Sequence, residues 1–78
     1  MADTSLKNIE ALIDDGGDIT IGGNVLPNEC VATAADHHNC LAMLVRRDGE
    51  TLGALLKRLD KAIATAWTDE EFIDEVNG

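Results

Sequence analysis

Seventy-eight residues with a net charge of −9 and a calculated pI near 4.3 describe one small acidic domain, whose core leaves little room for a catalytic cleft beside a stable fold. No enzyme is expected on that ground. The charge repels phosphate backbones and anionic lipid, and Trp67 and Phe72 are the only aromatic side chains on which bases could stack, so the expected partner is a basic protein surface rather than nucleic acid or membrane.

In chain order, Ser5 to Asp15 reads as a short helix with Leu6, Ile9, Leu12 and Ile13 on one face and Thr4 or Ser5 as its cap. Gly16-Gly17 ends it. Ile19-Thr20-Ile21 alternates as a strand, and Gly22-Gly23-Asn24 is a turn toward Val25-Leu26, giving either a tight hairpin or a strand with a sharp bend. Pro27 lacks an amide donor and belongs at an edge or in a connection. Glu29 to Ala35 fits strand or helix, and its β-branched Val31 and Thr33 favour strand.

Asp36-His37-His38-Asn39 has the polarity of a turn, and Cys40 to Arg47 is the clearest strand in the chain. A turn centred between His37 and His38 predicts Ala34 opposite Leu41, Ala32 opposite Met43 and Cys30 opposite Val45. Asp48-Gly49 then leads into Thr51 to Trp67, where Leu52, Leu55, Leu56, Leu59, Ile63, Ala66 and Trp67 form one helical stripe. Lys57, Arg58, Asp60, Lys61 and Thr65 are expected to face water. Leu56 sits at the centre of that stripe, and Trp67 at its end reads as a core residue, or as an interface anchor if part of it is exposed. Thr68-Asp69-Glu70-Glu71 matches a capping box, which predicts a short C-terminal helix carrying Phe72, Ile73 and Val76. Carboxylates at Asp69 to Glu71 would then favour the dipole at that helix's N-terminus. The alternative is a terminal edge strand, EFIDEV.

The expected fold is therefore α+β: an antiparallel sheet of about three strands packed against a long helix and a short N-terminal helix, as one domain over 1–78. No cofactor or metal is expected. Cys30, His37, His38 and Cys40 have none of the knuckle spacing of zinc sites, and in the register above the two cysteines lie on opposite faces, so both read as reduced thiols. The glycine pairs match no phosphate-binding loop, and the acidic residues match no calcium loop. The first ten residues lack the charge and apolar run of a signal peptide, which with the absence of a long apolar stretch gives a cytoplasmic expectation.

Charge is unevenly placed. Residues 1–29 carry −5, residues 30–67 carry +1 and residues 68–78 carry −5. If folding joins the ends, Asp14, Asp15, Asp18, Asp69, Glu70, Glu71, Asp74 and Glu75 make an acidic face. Arg46, Arg47, Lys57, Arg58 and Lys61 form a small basic island that either pairs with nearby acids or marks a second contact surface.

The block LVRRDGETLGALLKRLDKAIATAW followed by FIDEVN, with an I-x-I-G-G turn and a Leu-Pro before it, resembles short proteins carried by phages and prophages of proteobacteria. In size, charge and overall pattern the chain looks like an anti-CRISPR protein directed at a type I system. That resemblance covers about half the chain and has no motif to transfer residue by residue. It implies a monomeric inhibitor in the cytoplasm of the bacterial host, which binds a Cas protein of the surveillance complex and blocks target DNA binding or nuclease recruitment. An acidic face would act there as a DNA mimic. The rival expectation is a structural or assembly protein of a phage or prophage, without catalytic activity.

Overall fold

The computed structural model describes residues 6–23 and 29–76, and all structural statements refer to these. The order is α1 (Lys7–Asp14), β1 (Asp18–Gly22), β2 (Val31–Ala35), β3 (Cys40–Val45), α2 (Leu52–Asp69) and β4 (Ile73–Asp74). The strands lie side by side as β1-β2-β3-β4, antiparallel except that β4 runs parallel to β3. The α+β class, the long helix and the short N-terminal helix agree with the sequence reading.

α2 forms where its apolar period predicts, and Thr51 caps it by accepting from the Ala54 amide at 3.1 Å. Its buried face is Leu55, Leu59, Ala62, Ile63 and Ala66, so the stripe is rotated from the expected one. Leu56 is only half-buried, while Leu52 and Trp67 are 47% and 44% exposed. The reason is length. Eighteen helical residues span about 27 Å, whereas the six-residue strand β3 spans about 20 Å. The helix therefore overhangs the sheet at both ends. On the sheet side, Ala32, Ala34 and Ala42 bring small side chains to the helix, and Leu41, Leu44 and Leu12 complete the core. A core with almost no aromatic residues closes because alanines on the strands let the helix approach.

Two expectations about the sheet and the C-terminus are corrected. The β2–β3 turn forms as read, closed by the Asp36 amide on the Asn39 carbonyl at 2.9 Å and by the Asp36 carboxylate accepting from the His38 and Asn39 amides. Ala35 pairs with Cys40 as that turn predicts, but a bulge follows, and beyond it Ala34 pairs with Ala42, Thr33 with Met43 and Val31 with Val45. Leu41 is the extra residue, so the register slips by one and two consecutive residues of β3, Leu41 and Ala42, both reach the core. The second correction is at the C-terminus. Thr68 and Asp69 continue α2 and no separate helix begins there, because residues 73–74 pair with β3 instead, which is the edge-strand alternative and makes a fourth strand. β1 pairs with β2, from Asp18 opposite Ala35 to Gly22 opposite Val31; Val25 and Leu26 of the expected hairpin or bend, like Pro27 and the caps Thr4 and Ser5, lie outside the described residues.

The rotation of the stripe moves the test of the fold from Leu56 to Leu59, which is wholly buried between α2 and the sheet. Leu59→Asp removes a side chain whose truncation alone costs about 2–5 kcal/mol and adds an unpaired buried charge. That is a large share of the stability of a domain this small. The variant is expected to show no cooperative thermal transition by circular dichroism, and Leu56→Asp to retain one at a lower midpoint.

Candidate functional site

The site is built by the direction of two helices. α1 has no side-chain cap of its own at Leu6. Its first amides are satisfied instead by Asp60, from the middle of α2, whose carboxylate accepts from the Asn8 amide at 2.8 Å, the Ile9 amide at 2.9 Å and the Asn8 side-chain amide at 3.0 Å. Asp60 was expected to face water; it is half-buried because it serves as this remote cap. From Asp60, α1 runs alongside α2 in the same direction, and its last turn meets Trp67. Both helices therefore end at the same end of the molecule.

That end collects the acids. Asp14 closes α1 and Asp15 follows it, both exposed. Asp18 opens β1, which starts at the same end as the β2–β3 turn. Asp69 is the last residue of α2, Glu70 caps it and Glu71 leads to β4, all exposed. Neither helix carries a basic residue in its last turn. A helix C-terminus is the negative end of the macrodipole, so these carboxylates sit where they are electrostatically disfavoured. This reverses the dipole argument made for Asp69 to Glu71 from the capping box. Glu70 adds a further cost, since it adopts a left-handed conformation (φ 56°) in which Gly or Asn is the usual residue.

Between the two helices at this end lies a hollow of about 450 Å³ lined by Ala11, Asp14, Asp15 and Trp67. The exposed indole is thus flanked by carboxylates. Phe72, also exposed, follows the acidic segment.

The remaining acids expected in the face are placed elsewhere. Asp74 lies in β4, on the sheet edge opposite β1, and its carboxylate accepts from the Val76 amide at 3.0 Å. Glu75 is committed to the fold. It accepts from the Val45 amide at 2.9 Å and from the Arg58 guanidinium at 3.0 Å, with Arg47 at 4.0 Å.

The opposite end holds Arg46, Arg47 and Arg58, of which Arg58 is neutralised within the fold. Arg58 gives two bonds to Glu50, at 2.7 and 3.0 Å, one to Glu75, and one to the Val45 carbonyl at 3.0 Å. Its side chain is only 23% exposed and that of Glu50 only 9%. The Arg58 guanidinium and the Arg47 amide hold the Glu50 carboxyl down from 4.5 to about 2. Together Glu75 and Arg58 cover the amide and carbonyl of Val45 on the open side of β3, where β4 has already ended. A cleft of about 230 Å³ lies between α2 and β4, floored by Leu44, Ala62 and Ile73 and edged by Lys61 and Thr65.

Among the described residues no group of three His, Cys, Asp or Glu side chains could hold a metal ion. Cys30 is half-buried and Cys40 exposed, at opposite ends of the β2–β3 pair, and both are free. The His37 ring packs on the α1–β1 turn, where a Cβ on Gly16 would lie 2.8 Å from Nε2, and Gly16 itself has φ 92°. No helix among the described residues is long and apolar enough to cross a membrane. No family model, curated protein or solved structure matches the chain.

Sequence reasoning placed Trp67 first in the core. The signal that it is not was available in the lengths, since a residue fifteen positions beyond Leu52 lies past the reach of a six-residue strand. Asp60 had no such signal, because its partners are 51 and 52 residues away.

Two measurements probe the two ends. Because the folded value of Glu50 lies below its ordinary value, its stabilisation is present above the ordinary carboxylate range and is lost as pH falls from about 5 toward 2. The gap in melting midpoint between the wild type and Glu50→Gln is expected to be widest at pH 6–8 and to close on acidification; a gap constant with pH would contradict the assignment. At the acidic end, Glu70→Gly relieves a left-handed residue and a charge at a helix C-terminus, and thermal melts are expected to show stability raised by about 0.5–1 kcal/mol.

Proposed function

We propose that the protein is an inhibitor that works by docking, its acidic helix-end face occupying a basic groove made for a nucleic-acid backbone. One observation carries this reading: Asp14, Asp15, Asp18, Asp69, Glu70 and Glu71 gather at the end of the molecule that exposes Trp67, and four of them, Asp14, Asp15, Asp69 and Glu70, stand at helix C-termini that would be more stable without them. Acids that cost the fold stability and complete no ion pair among the described residues are explained by a partner.

The chemistry of that partner follows from charge. A face of closely spaced carboxylates is attracted by the same lysines and arginines that bind phosphates, and excludes the duplex by occupying its place. Such an inhibitor needs no catalytic group, metal or cofactor. The resemblance to anti-CRISPR proteins directed at type I systems supplies the identity of the groove: a Cas protein of the surveillance complex, with target DNA binding as the step blocked. Asp74 and Glu75 have smaller parts in this reading, Glu75 because Arg58 and Val45 already hold it.

The test is a gel-shift competition in which a crRNA-loaded type I surveillance complex binds labelled target DNA with and without this protein, at two salt concentrations. Loss of the shifted band is expected, weaker at the higher salt. The variant carrying Asp14→Lys, Asp15→Lys, Asp69→Lys and Glu71→Lys is expected to lose inhibition while melting at or above the wild-type temperature. Retained inhibition by that variant would overturn the acidic-face mechanism. If the wild type leaves both DNA binding and nuclease recruitment unchanged, the assembly-protein reading replaces this one.

A further inference from the structure

The hollow beside Trp67 is more specific than an acidic surface. Trp67 lies in the last turn of α2, half out of the fold, and α1 lays Ala11, Asp14 and Asp15 beside it. Ala11 contributes a single methyl group, so the lining is one large aromatic ring and two carboxylates. No basic residue occupies the last turn of either helix to neutralise them. The C-terminal end of α1 adds the negative end of its dipole on the same side.

Resting on the docking reading above, we propose that this hollow receives one arginine side chain of the partner's basic groove. The occupant follows from the lining. A guanidinium is planar and weakly hydrated, so it can stack on an indole while its N–H groups, which lie in the plane of the stack, donate to flanking carboxylates. A lysine ammonium satisfies the charge but not the plane, and it loses more hydration on leaving water. A metal ion would find only two carboxylates here, and no metal-holding group of side chains exists among the described residues. The arginine is the anchor of the contact, and the remaining carboxylates at that end supply long-range attraction around it.

Trp67 is the only tryptophan in the chain, so its emission reports on this hollow without labelling. The probes are capped tetra-arginine and tetra-lysine peptides, equal in length and charge, titrated into the intact protein while Trp67 fluorescence is followed. The arginine peptide is expected to bind roughly fivefold more tightly and to change the emission of Trp67, with the lysine peptide changing it little. Asp14→Asn with Asp15→Asn is expected to abolish the preference while the melting temperature holds or rises, which separates lost binding from lost folding. Trp67→Ala, truncating a side chain already 44% exposed, is expected to make the two peptides bind alike, as read by calorimetry.

Equal affinity for both peptides in the wild type, with unchanged emission, overturns the receptor and leaves a general acidic docking face standing. An arginine preference in a protein that fails the gel-shift competition supports the receptor and overturns its assignment to a Cas partner.

Discussion

The carboxylate of Asp60 sets the geometry on which the rest of the molecule depends. By accepting from the second and third amides of α1 it replaces the cap that helix lacks and fixes where α1 begins along α2. A negative side chain at a helix N-terminus also opposes that helix's dipole favourably. The cost appears at the other end. Two helices running side by side in one direction bring two negative C-termini together, and there the chain places Asp14, Asp15, Asp69 and Glu70 rather than a lysine.

This arrangement turns a pattern along the chain into a polarity across the fold. In sequence the charge runs −5, +1, −5, which says nothing about whether the ends meet. In space α1, the start of β1 and the end of α2 converge, so three acids of each acidic segment, Asp14, Asp15 and Asp18 with Asp69, Glu70 and Glu71, share one end, while Arg46, Arg47 and Arg58 lie toward the other. At the basic end the most buried cation is used within the fold: Arg58 is held by Glu50 and Glu75, and both carboxylates also accept backbone amides. The acidic end has no cation in the last turn of either helix to do the same.

What was legible in the sequence was whatever depends on neighbours a few residues apart. The stripe from Leu55 to Ala66 announced α2, the apolar run from Cys40 announced β3, and Asp36 to Asn39 announced their turn. What was not legible depends on distant partners. The bulge at Leu41 shifts the β2–β3 register by one residue because the core can accept both Leu41 and Ala42, a fact about α2 and Leu12 rather than about the hairpin. Thr68 to Glu71 has the local form of a helix start, yet the open side of β3 outcompetes it by pairing with Ile73 and Asp74. Of the candidate site, the carboxylates were named from charge alone, but the separation of Glu75 from them required the position of Arg58, and the exposure of Trp67 required the relative lengths of α2 and β3.

The overhang of α2 connects these threads. A helix that stopped with the sheet would end near Ile63, with Trp67 and the acids after it absent or folded back. Instead α2 runs on to Asp69, its last turns lying beside α1 at Trp67 and across a cleft from Ile73 of β4 at Thr65, while α1 is capped by Asp60 and packed through Leu12 and Ile9. The extra helix buries Ala66 and leaves Trp67 half exposed, a poor return in apolar burial for a residue of that size. A segment that adds little to the core, carries the aromatic and ends in a strained acidic cap is the part of the fold on which the proposed docking rests.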